Sequence, residues 1–233
     1  MNKDGIRKLE AETGALLDLL IAGYSIYLHW RPMKFSKKLT TRIKSEQRVR
    51  GFLHLRTLSY RCLILDLVKI CCDSDSRAPS IKLILEKVRP QSNREFLEKR
   101  HIESAVAGES DKELRKISAN AAKAKFSSAF SETEKKADQL LRSSVLKRYY
   151  TVRNKLIAHN ELRTGAGGYE FLDIGKLGLK YGQEIRLLKR IREVVDGLNF
   201  IVRNASFDWD SFVLYEIRDA QEFWGISRIG SNR

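Results

Sequence analysis

The stretch from Tyr149 to Glu161 carries groups that can act on a phosphodiester without a metal: the guanidinium of Arg153, the carboxamide of Asn154 and the imidazole of His159. Arginine supplies permanent charge and a planar fork of donors that matches phosphate oxygens. Neutral imidazole accepts and returns protons near pH 7. Lys147, Arg148 and Lys155 surround these groups, so an RNA backbone held here would be held partly by charge, and less firmly as salt rises. Nowhere else in the chain do the three groups come so close. A rival account exists: His159 closes a core seam on an apolar helical stripe, with Arg153 and Asn154 as exposed neighbours. The adjoining Arg-Asn pair and the basic surroundings favour the site.

Spacing limits what one chain can do with these groups. On an α-helix, at about 100° and 1.5 Å per residue, Arg153 and His159 stand about 120° apart and roughly 9 Å apart along the axis. One helix then does not bring both side chains to one phosphate, whereas two copies about a two-fold axis do. The expectation is a homodimer with a composite site. His159 serves as general base or acid on a ribose 2′-hydroxyl and the departing 5′-oxygen, and Arg153 neutralises charge building on the phosphate. Asn154 orients backbone or the second copy's His159.

An Arg-Asn pair, a mostly apolar run and a His resembles the signature of HEPN-domain ribonucleases. The abortive-infection (AbiU-like) branch agrees further, through Leu63 to Asp73 and Ser80 to Leu85, over about residues 50–205. The resemblance implies an all-α dimer that cuts RNA without a metal, a toxin or phage-defence role, and an antitoxin or regulatory protein as a further partner. Many HEPN toxins modified by a partner nucleotidyltransferase carry Tyr two residues after the His. Glu161 stands there instead, so that mode of regulation is not expected. The alternative is a non-catalytic HEPN-like module that binds nucleic acid or a protein through its basic surface.

Composition bounds these readings. The 233 residues suffice for one sizeable domain, here read as 1–233 with a core at about 50–205 and flanking helices at 4–30 and 206–224. A 42% hydrophobic content supports a real core, and 31% charged residues support a solvated surface. The balance of 44 Lys+Arg against 29 Asp+Glu, a formal +15, favours a polyanionic partner, nucleic acid ahead of a membrane surface. Cys62, Cys71 and Cys72 lack zinc spacing and read as reduced, buried, structural residues of a cytoplasmic protein. No cleavable signal peptide is read. The apolar run Ala15 to Trp30 carries Asp18 and His29 and falls short of a membrane span.

The elements that must position the site follow from periodicity. A first helix runs from Asp4 to about Trp30 and stops at Pro32. The basic segment Met33 to Arg50 is either a connection or the solvated start of the next helix. Phe52 to Cys72 is a second helix, on which Arg56 and Arg61 either make surface ion pairs, the favoured reading, or support a phosphate. A short helix opens at Pro79 and ends before Pro90. Ser92 with Glu95, Ser110 with Glu113 and Ser131 with Glu134 read as capping boxes that start three helices. The Ala-, Ser- and Lys-rich piece 118–129 packs loosely or lies outside the main core, and the last of these helices continues through His159. Tyr169 to Ile174 is short and extended, Gln183 to Arg203 is a helix, and Ser206 to Trp224 is a last helix whose aromatic residues anchor it or a dimer contact. The fold class is therefore an all-α up-and-down bundle with extra terminal helices. No phosphate-cradling Gly-rich loop, dinucleotide fingerprint, serine elbow or metal-ligand spacing is present, and no cofactor is expected.

Overall fold

Apolar side chains recurring every three or four residues wind most of the described residues into helix. The computed structural model describes residues 3–43, 46–73, 75, 77–158, 162–165, 168–171 and 178–226. Its helices are α1 (Lys3–Phe35), α2 (Lys37–Arg42), α3 (Glu46–Cys72), α4 (Ile81–Val88), α5 (Gln91–Ala105), α6 (Lys112–Leu141), α7 (Ser144–Val152), α8 (Gln183–Arg203) and α9 (Trp209–Phe223). A π-helical segment, Arg153–Ala158, follows α7 directly. Strands β1 (Leu162–Gly165) and β2 (Gly168–Phe171) form a small antiparallel hairpin, so β2 covers the first half of the extended piece read in the sequence. The fold is all-α in class and consistent with a HEPN-like bundle.

The chain divides into two compact units. The first comprises residues 1–19, 68–147 and 181–206. Its core is filled from α4 (Ile81, Ile84, Leu85, Val88), α6 (Phe126, Phe130, Ala137, Leu140) and α8 (Leu188, Ile191, Val195, Leu198). Arg94 lies over the Phe130 ring, Ser127 bonds Glu98, and His101 meets Phe126, so α5 and α6 run antiparallel. Lys136 pairs with Glu193, Thr133 abuts Gly197, and Lys125 lies over Phe200, which sets α8 antiparallel to α6. His101 is buried and donates from Nε2 to the Ile201 carbonyl at 3.0 Å. Burial holds its pKa below the ordinary imidazole value, against the pull of the carbonyls of Ile201 and Phe200. Burial likewise pushes the Cys71 thiol well up, with Cys72 adding to the shift, so Cys71 stays a neutral core residue.

The second unit comprises residues 20–67, 148–180 and 207–233. Leu20, Tyr24, Tyr27 and Trp30 of α1 and Leu63, Ile64 and Leu67 of α3 are buried within it. Trp30 stacks on Tyr60 at 5.0 Å. Aromatic residues do anchor α9: Trp209 packs on Tyr24 at 5.1 Å, and the Trp224 indole donates to the His29 carbonyl at 2.9 Å. Among the described residues no helix is long and apolar enough to cross a membrane.

Several helix ends differ from their sequence signals. The first helix does not stop at Pro32: it continues to Phe35, because buried Trp30 and Met33 hold its last turn and the Pro32 carbonyl accepts from Ser36 N–H at 2.9 Å. Ser80, not Pro79, caps α4. Pro90 precedes the first helical residue of α5, its carbonyl accepting from Asn93 and Arg94, so Ser92 falls inside the first turn. Asp111 outcompetes Ser110 at the start of α6, because its Oδ1 takes both Glu113 and Leu114 N–H. Ser131 starts nothing. Phe126, Phe130, Thr133, Ala137 and Leu140 form one unbroken buried stripe, and α6 runs straight through it. The loose packing expected of 118–129 holds except at Phe126, which is fully buried.

Candidate functional site

The motif helix begins later than its sequence pattern. The chain breaks at Arg142 and Ser143, and the Ser143 hydroxyl accepts the Leu146 N–H at 3.3 Å to start α7. Leu146, Tyr149 and Val152, three residues apart, are buried and fix how α7 is rotated. At Arg153 the winding changes from α to π and stays so through Ala158. In a π segment the bonds run from i to i+5, so each residue turns less than 100°. The α-helical azimuth of about 100° per residue therefore does not apply from Arg153 to Ala158.

Arg153, Asn154 and Lys155 are each half-buried. Arg153 donates from Nη1 to Oδ1 of Asn154 at 2.9 Å. Within this chain the Asn154 side chain also holds the neighbouring guanidinium, through its Oδ1. Among the described residues Arg153 has no carboxylate partner, so its Nε and Nη2 donors are not committed to an acid. Wide charge-assisted forks are what a phosphate in a partly desolvated site requires.

The cations expected to hold RNA fall in different surroundings. Lys147 is exposed and belongs to the first unit, while Arg148 and Lys155 belong to the second and are half-buried. Arg148 is the less expected of the three. Its Nε is buried without a hydrogen-bond partner among the described residues. Gly178, at φ 69°, lies beside it, and a Cβ there would sit 3.9 Å from both Cδ and Nη1 of Arg148. An unpaired guanidinium nitrogen inside protein is costly until an anion or water reaches it. The sequence carries no mark of that burial, nor of the π winding.

His159 and Glu161 lie outside the described residues, as do Leu172, Asp173 and Ile174 of the extended piece. Among the described residues no group of three or more His, Cys, Asp or Glu side chains is placed to hold a metal ion. The cavity of about 790 Å³ between α5 and the start of α6 lies in the first unit and is lined by both signs of charge, including Glu95, Glu103, Lys99 and Arg115. Nothing in it resembles a phosphate site.

The family model for AbiU2, a HEPN-type family, matches this chain over residues 6–223. No curated protein and no solved structure matches it significantly.

Proposed function

The chain belongs to the AbiU2 family of HEPN-type proteins, and from that premise we propose that it is a metal-independent endoribonuclease acting in abortive infection. The observation that carries the reading is the half-buried Arg153 guanidinium, tethered by Asn154 and, among the described residues, by no acid, at the point where α7 turns to π winding. Local π segments recur at functional positions because they re-aim side chains without ending the helix. Arg153 would meet a phosphate with its fork and neutralise the charge that grows in the transition state. Asn154 is the positioning residue that keeps the guanidinium from rotating away.

His159 would take the proton of the ribose 2′-hydroxyl as the 2′-oxygen attacks phosphorus. The bond to the 5′-oxygen breaks, and that oxygen leaves as a hydroxyl after receiving a proton. The products are a 2′,3′-cyclic phosphate and a 5′-hydroxyl end, with no redox change. Lys147, Arg148 and Lys155 would hold the backbone on either side, in keeping with the +15 formal charge. A homodimer whose two motifs share one RNA, with an antitoxin or regulatory protein as its inhibitor, completes the proposal.

The test is cleavage of mixed cellular RNA by purified protein in chelator, followed by end-group analysis. Wild type should release 5′-hydroxyl ends, and Arg153→Ala and His159→Ala should each lower the rate by about 10²–10³-fold. Full cleavage by either variant refutes the assignment. Salt-dependent binding with no cleavage by wild type would instead identify a non-catalytic module.

A further inference from the structure

Helix α3 carries two apolar faces, and the fold of its unit uses one of them. Tyr60, Leu63, Ile64 and Leu67 turn inward. On the opposite side Gly51, Leu55, Leu58, Cys62 and Leu65 follow one another at steps of four, three, four and three residues. Leu55 and Leu58 are 42% and 49% exposed, Cys62 and Leu65 are half-buried, and a Cβ on Gly51 would meet nothing within 4 Å. A strict seven-residue repeat of this kind is the seam of a paired helix, with Leu55 and Cys62 at a and Gly51, Leu58 and Leu65 at d. It sits within residues 46–67 of the second unit.

The flanks of the stripe choose the occupant. His54 and Arg61 line one edge at g, and Ser59 and Asp66 line the other at e. In a parallel pair, each g residue meets the e residue five positions on in the other helix. Arg61 of one copy then faces Asp66 of the other, twice by symmetry, and His54 faces Ser59. In an antiparallel pair the basic edge would meet its own kind. Read against itself, the seam also matches leucine with leucine at 55, 58 and 65 and leaves only Gly51 and Cys62 as small layers. We propose that α3 pairs in parallel and in register with α3 of a second copy of this chain, through Gly51, Leu55, Leu58, Cys62 and Leu65. The two-copy site proposed above would take its second copy from this pairing. The pairing rests on that reading for its consequence to cleavage, and on α3 for everything else.

The experiment uses the full chain. Wild type should sediment as a dimer, and Leu58→Glu, at an exposed position, should weaken self-association at least about tenfold without loss of helix content. Arg61→Asp alone should weaken it too, and Arg61→Asp with Asp66→Arg should restore it. A short bis-maleimide should link two copies through Cys62, and Cys62→Ser should abolish that product, since only an in-register parallel pair puts the same a position face to face. A wild-type monomer, undiminished association of Leu58→Glu, or a cross-link indifferent to Cys62→Ser would overturn the proposal. Leu58→Glu monomers that still cut RNA would support the seam and remove the shared site. Arg153→Ala dimers that no longer cut would support both.

Discussion

Gly197 of α8 faces Thr133 of α6 at the tightest approach of a glycine to another helix among the described residues. A Cβ placed on Gly197 would lie 2.0 Å from Thr133 Oγ1, 2.8 Å from its Cγ2 and 2.9 Å from its Cβ. Carbon contacts settle at about 3.5–4.0 Å, so Gly197→Ala must part the helices by roughly 1 Å or drive Thr133 from its rotamer. Thr133 is buried and β-branched, which restricts it to two populated rotamers within a helix. Two effects of opposite sign then compete. Alanine is the better helix former by about 1 kcal/mol, while overpacking costs about 1–3 kcal/mol and more where the neighbours are pinned. Val194, Val195, Leu198 and Ile201 are all buried around Gly197, so parting α8 from α6 loosens several layers at once and overpacking wins.

The expected net loss is about 2 kcal/mol. In a chain of this size that lowers the melting temperature by about 4–8 °C. Calorimetry on Gly197→Ala, Thr133→Ala and the double variant measures it. Thr133→Ala removes Oγ1 and Cγ2 and leaves the 2.9 Å Cβ contact, so the double variant should recover most of the loss but not all of it. A coupling of at least about 1 kcal/mol between the two sites is expected. Gly197→Ala melting at or above wild type, or a double variant whose losses simply add, would refute the close-packing argument.

His101 makes stability depend on pH. Its folded pKa lies below the ordinary value because of burial, so as pH falls below about 6.5 the unfolded chain takes up a proton first and stability drops. The contribution is fully present above that pH and lost as pH falls toward the folded pKa. His101→Gln, which keeps a donor for Ile201 but does not titrate, should therefore compare progressively better with wild type between pH 7.5 and 5 in urea unfolding; a constant difference would refute this. Asp111→Ala removes an acceptor shared by two N–H groups and should cost about 1 kcal/mol. Ser131→Ala, at an exposed mid-helix position, should be neutral or slightly stabilising, and equal costs for the two would restore the capping box at Ser131.

Helices with one dominant signal were legible from sequence to the residue. Gln183–Arg203 is an example, because a continuous apolar face and a left-handed Asn204 at its end agree. Ends decided by competition were not. Ser131 with Glu134 is a sound local cap, but it competes with a buried stripe spanning Phe126 to Leu140, and burying that stripe is worth more than one cap. Pro32 is a sound stop, but it falls in a last turn whose missing donor matters less than the burial of Trp30 and Met33. Local chemistry loses wherever tertiary burial extends past it.

The motif itself shows the same limit with a different consequence. Arg153, Asn154 and Lys155 are readable as residue types, but a switch from i+4 to i+5 bonding at Arg153 leaves no compositional trace. From Arg153 to Ala158 the azimuth of an α-helix no longer applies. What supports a second copy instead is α3, where Leu55 and Leu58 are exposed and Leu65 half-buried along one face, and where Arg61 and Asp66 lie on opposite edges of that seam. That support is independent of chemistry at Arg153. The pairing and the cleavage can therefore fail separately, and a monomer that cuts RNA would leave Arg153 and its Asn154 tether as the part of the site that a single chain supplies.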